Sequence, residues 1–157
     1  MSVSTSPLIA PRALRFGNLA AYGAGLLPFA WAIVLAVTDQ LGAEPIKALE
    51  QMLGLWAFRF LLASLAVAPL RYLRLIDLMR VRRALGLLCF TYAALHLAVY
   101  LGLDYRFDLG AIGADIVKRP YITAGMLGFA VLVPLAVTSN DALIRRMGWR
   151  AWKRLHA

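Results

Sequence analysis

The stretch Arg82–Leu103, RRALGLLCFTYAALHLAVYLGL, sets two arginines before about 20 mostly apolar residues and holds one histidine, His96. A helix of that length crosses the roughly 30 Å hydrocarbon layer of a bilayer. Three more apolar blocks flank it, at about 19–37, 53–68 and 121–138, beside the central block at 84–103. Together they predict an all-α fold: a polytopic transmembrane bundle of four spans in one domain over residues 1–157. The 62% apolar and 16% charged content fits no ordinary soluble domain.

The same sequence excludes several function classes. Cys89 is the one cysteine, so there is no disulfide framework, CxxC motif or thiolate zinc site. The formal charge of +9 would suit nucleic acid, but the basic residues sit at the ends of apolar runs, where topology and anionic lipid account for them. Membrane lipid is therefore the expected partner and nucleic acid is not. No internal repeat, P-loop or dinucleotide-binding glycine motif is present.

Along the chain, residues 1–17 form a Ser- and Pro-containing segment with Arg12 and Arg15 just before the first run. That run exceeds the roughly 7–15-residue core of a cleavable signal, which predicts a retained span with Pro28 as a kink point. Thr38–Met52 reads as a polar connector. The second span, Leu53–Ala68, ends at Pro69 and carries Arg59 six residues in. Two readings of Arg59 stand: it snorkels to the interface along its apolar stem, or it neutralises an anionic group of a bound cofactor, such as a haem propionate.

Arg71–Arg83 holds five arginines against one aspartate, the strongest topogenic signal in the chain. Asp104–Arg119 reads as a mixed loop, and Pro120 opens the fourth run at a first-turn position. The small residues Ala124, Gly125, Gly128 and Ala136 of that run are expected at close helix contacts. From Ser139 a basic interfacial helix is expected, with Leu143, Met147, Ala151 and Leu155 recurring every four residues and Trp149 and Trp152 among headgroups.

The N-terminal segment, second loop and tail carry 12 lysines and arginines, against four in the other two connectors. The basic side is expected to face the cytoplasm, which puts the N-terminus there and His96 in the outer half of the membrane. On a helix Cys89, Tyr92, Ala93, Val99, Tyr100 and Leu103 share a face with His96. Three roles are open to a histidine so placed: haem iron ligand, a hydrogen-bonded group between helices, or a proton relay. A transporter is disfavoured, since only Arg59 and His96 are clearly ionisable within the spans. His156, the other histidine, lies toward the cytoplasmic end, too far to share an iron with His96.

Three segments, RRALGLLCFTYAALHLAVYLGLDYRFDL, KRPYITAGMLGF and LAVTSNDALIRRMGWRAWKRLH, resemble the MsrQ (formerly YedZ) family. These are haem-binding membrane subunits of periplasmic protein-methionine-sulfoxide reductase systems, within the ferric-reductase-like transmembrane superfamily. The resemblance implies a b-type cytochrome of the bacterial inner membrane. Such a subunit takes electrons from the quinol pool and passes them to a periplasmic molybdenum-cofactor reductase that repairs oxidised methionines, with FMN as an associated cofactor.

His96 matches the family's third-span haem ligand and His156 the histidine of W-x-x-L-H that opens the fifth span. A further family histidine follows about 13 residues later, roughly 20 Å up that helix. The chain stops at Ala157, before the fifth and sixth spans, so a shortened member lacking the natural partner of His96 is expected. The alternative from another class is a non-catalytic membrane scaffold.

Overall fold

The computed structural model describes residues 11–73 and 79–156. The first ten residues of the N-terminal segment and positions 74–78 of the basic loop lie outside the described residues. Among those described there is helix and no strand: α1 (Pro11–Val37), α2 (Pro45–Tyr72), α3 (Met79–Val99), α4 (Leu109–Lys118), α5 (Pro120–Val137), α6 (Asp141–Met147) and α7 (Trp149–Leu155). A five-residue π-helical segment, Tyr100–Asp104, extends α3. Among the described residues four helices are long and apolar enough to cross a membrane, and the chain is a multi-pass membrane protein.

α3 is the central post, with α1, α2 and α5 all packed against it. Gly54 lies opposite His96 and Ser64 opposite Gly86, so α2 and α3 run antiparallel. Leu53 and Phe60 of α2 close a core with Leu88, Cys89, Tyr92 and Val99 of α3, while Tyr22 and Phe29 of α1 and Leu132 of α5 pack on its edges. No residue of α5 is buried, and Leu27, Leu65, Leu127 and Val131 face outward, an apolar exterior suited to lipid.

Several boundaries differ from the sequence reading. The second helix begins at Pro45, eight residues inside the expected connector, and runs through Pro69 to Tyr72. Lys47, Glu50, Gln51 and Gly54 recur at helical spacing along one side of it and line an internal cavity, so polarity there marks a polar lining and not a loop. Arg59 accordingly sits near the middle of the apolar segment Pro45–Leu70 and not near its end. The expected mixed loop contains α4, whose N-cap Asp108 accepts a hydrogen bond from Ala111 N at 3.0 Å. The expected single interfacial helix breaks at Gly148, where φ is +78°, so its four-residue apolar stripe is not continuous.

Tyr92 also departs from expectation. It is wholly buried and turned to α1, where its hydroxyl donates to Gly25 O at 2.7 Å and accepts from Phe29 N at 3.0 Å. In a regular helix those two backbone groups pair with each other, and Pro28 beside them cannot donate. The tyrosine supplies the polar partner that a proline-containing membrane helix needs from its neighbours. Gly25 makes room for Leu88 of α3, whose side chain a Cβ there would meet.

Candidate cofactor site

Between α2 and α5, floored by α3 and capped by α4, lies a cavity of about 570 Å³. That is the size of an ordinary ligand pocket, roughly 300–1,000 Å³. One face of α2 contributes Glu50, Gly54, Ala57 and Leu61, and α3 contributes Cys89, Ala93, His96 and Tyr100. On the α5 side stand Gly125, Gly128 and Phe129. A Cβ added at Gly125 or Gly128 would meet nothing within 4 Å. These glycines therefore widen the cavity instead of making the close helix contacts expected of them.

The lining is graded. Toward α6 and α7 it is apolar, with Leu61, Cys89, Phe129 and Leu132; toward α4 it is polar, with Lys47, Gln51, Asp104, Asp115, Arg119 and Tyr121. Asp115 is buried, accepting from Tyr100 Oη at 3.1 Å and pairing with Arg119 Nε at 2.8 Å. Arg119 Nη1 also donates to Tyr121 Oη at 3.3 Å. A hydrogen bond to Asp115 raises the Tyr105 phenol above the usual tyrosine value. The Tyr121 contact, then the Asp115 charge, raises Arg119 further. The π segment between His96 and this cluster carries Tyr100.

His96 lies on the cavity wall, half-buried, with Nδ1 2.9 Å from the backbone oxygen of Glu50 and Nε2 4.0 Å from the Glu50 carboxylate. A carbonyl can only accept, so Nδ1 carries the proton and, in the neutral ring, Nε2 keeps its lone pair. This is the orientation in which second-shell bonds hold metal-ligating imidazoles. Among the described residues no group of three or more His, Cys, Asp or Glu side chains could hold a bare metal ion. A macrocycle that brings its own equatorial donors needs only an axial nitrogen from the protein. The free Nε2, the glycine-widened wall and the apolar depth fit such a group.

The other residues singled out from sequence do not join His96. His156 lies at the opposite end, where Nε2 is 2.9 Å from Thr138 Oγ1, its ring stacks on Trp152 at 4.5 Å, and Trp152 Nε1 donates to Thr138 O at 3.0 Å. The Thr138 hydroxyl gives its own hydrogen to Pro134 O at 2.6 Å, so His156 donates from Nε2. Burial, then the Arg82 charge, lowers its pKa below the ordinary histidine value. Arg59 is exposed on α2, does not line the cavity, and holds its guanidinium carbon 4.7 Å from the Trp56 ring centroid.

Sequence reasoning missed Glu50, Gly54, Asp115 and Arg119. The signal for the last two was an Asp and an Arg four apart, and for the first two the i, i+3, i+4, i+7 spacing of Lys47, Glu50, Gln51 and Gly54.

Comparison with known proteins adds independent information. Residues 53–157 match the family described as ferric reductase like transmembrane component. The chain is 53% identical over 135 residues to proteins described as "Protein-methionine-sulfoxide reductase heme-binding subunit MsrQ" from Brucella ovis, Brucella canis and Brucella melitensis. Each match covers 86% of this chain and 61% of the relative, so the chain spans about three fifths of the length of these relatives. No solved structure matches it.

Proposed function

Because the chain belongs to the ferric reductase like transmembrane component family, we propose that it carries haem b at His96 and serves as the electron-transfer membrane subunit of a protein-methionine-sulfoxide reductase. The observation that carries this reading is the His96 Nδ1 to Glu50 O bond, which leaves Nε2 as a lone-pair donor on the cavity wall. Bound haem supplies a reversible one-electron carrier. The residues of the chain would hold and shield it: His96 would offer the nitrogen donor, Gly125 and Gly128 would leave room for a flat ring, and Leu61, Phe129 and Leu132 would keep water from the apolar end. Lys47 and Arg119 are the cations at the polar end and would receive carboxylate substituents.

His156 is proposed as a ligand on the opposite side of the membrane, a role that requires Nε2 to exchange its Thr138 bond for the metal. For Arg59, which is exposed and outside the cavity lining, the proposed role as partner of an anionic cofactor group such as a haem propionate holds only for a group reaching the exposed face of α2. The finer parts of the proposal rest on the family resemblance: quinol as electron donor, a periplasmic molybdenum-cofactor reductase as acceptor, FMN as a second cofactor, and the bacterial inner membrane as location. The cytoplasmic N-terminus rests on the basic-residue count.

The test is the reduced-minus-oxidised spectrum of the full-length protein purified with haem. A reducible Soret band lost in His96→Ala supports the reading. No band at any haem supply favours the scaffold alternative.

A further inference from the structure

A helix carbonyl points toward the residue four positions on, whose Cβ leans back over it and shields it from the side. The Glu50 carbonyl, already the acceptor for the amide of position 54 in a regular helix, takes a second hydrogen bond from His96 at 2.9 Å. It is reachable because position 54 is glycine. A Cβ there would stand 3.1 Å from His96 Nδ1 and 3.2 Å from Cε1, tighter than ordinary contact, so the ring would have to give by a few tenths of an ångström at the edge that bonds the carbonyl.

We infer that Gly54 is a positioning residue for His96: its missing side chain opens the Glu50 carbonyl to the imidazole and so fixes the Nδ1–H form, with Nε2 presented to the cavity. This deepens the haem reading and rests on it for its functional meaning, but the geometry concerns the protein's own atoms and can be read without a cofactor. Gly54 differs in this from the other cavity glycines. Gly125 and Gly128 have open space before them; outside the cavity, Gly86 on α3 would bring a Cβ only to 3.9 Å from Ser64 Oγ.

The experiment uses the full-length protein with 15N-labelled histidine, haem-free, in detergent micelles, with the His96 ring signals identified by their loss in His96→Ala. The wild type is expected to show His96 protonated at Nδ1. Gly54→Ala should convert it toward a mixture of tautomers or to the Nε2–H form, and Gly54→Val more completely, while Gly128→Ala leaves it unchanged.

A wild-type ring already protonated at Nε2 overturns the inference even if neither Gly54 variant folds. So does a Gly54→Val protein that folds, by circular dichroism, with its Nδ1–H signal intact. The haem spectrum separates this from the functional reading. Loss of the band in His96→Ala with wild-type tautomers in both Gly54 variants rejects the role of Gly54 and keeps the haem site. Tautomer change in those variants with the band intact in His96→Ala does the reverse.

Discussion

A proton's position on one ring decides what His96 can bind, and a backbone oxygen decides the proton's position. Tyr92, one helical turn before it, shows how the same environment treats a phenol: its hydroxyl is committed twice to α1. Tyr92→Phe is therefore expected to destabilise the bundle by about 1–2 kcal/mol, by leaving Gly25 O and Phe29 N without that partner. Thermal unfolding in detergent measures it, and haem content should change far less than in His96→Ala.

His156 gives a pH dependence. Its folded pKa lies below the unfolded value of about 6.5, so the unfolded state binds more protons in that window and stability rises with pH through it. The docking of α7 on Thr138 should be complete above about pH 6.5 and weaken as pH falls through the depressed folded value. Tryptophan fluorescence of haem-free protein, compared with Trp152→Phe, reports the release.

At the scale of elements, the four spans were legible because twenty apolar residues in a row have few alternatives to a membrane helix. The ends of the second were not. Hydropathy assigns Lys47, Glu50 and Gln51 to a loop, yet they lie inside α2, because a helix that borders a polar cavity mouth carries polar residues on that side. His96 itself was legible as a buried titratable group. Its neighbours were legible in part: Cys89, Ala93 and Tyr100, expected on its face, do line the cavity with it, whereas Tyr92 turns to α1, since α3 meets other helices on several sides and spacing alone cannot say which side takes which.

The π segment has no sequence signature that would have announced it. Gly148 was an available signal for the break between α6 and α7. Gly148→Ala places a Cβ at φ +78°, a conformation costing about 1–3 kcal/mol for other residues. It is expected to favour the continuous helix that the four-residue stripe suggested and to pull Trp152 from Thr138, seen as a red-shifted tryptophan emission.

For the whole molecule, the two histidines mark opposite ends of one bundle. Phe90 of α3 stacks on Phe129 of α5 at 5.6 Å, His96 lies six residues from that level toward α4, and Thr138 nine residues from it the other way. At 1.5 Å per residue the separation along the axis is about 22 Å, which suits carriers on two sides of a membrane and forbids one shared iron. Cysteine probes introduced near Arg145 should label only from the cytoplasm, and probes near Phe107 only from the periplasm. The opposite pattern would reverse the proposed electron route.

The most direct test of the central claim is the spin state of haem bound to residues 1–157 alone, read from oxidised and reduced spectra beside those of His96→Ala. Among the described residues His96 is the single imidazole at the cavity, so the expected spectrum is mainly high-spin, converted to low-spin by added free imidazole and abolished in His96→Ala. A low-spin, two-histidine spectrum from the monomeric chain, or a spectrum unchanged in His96→Ala, would contradict it.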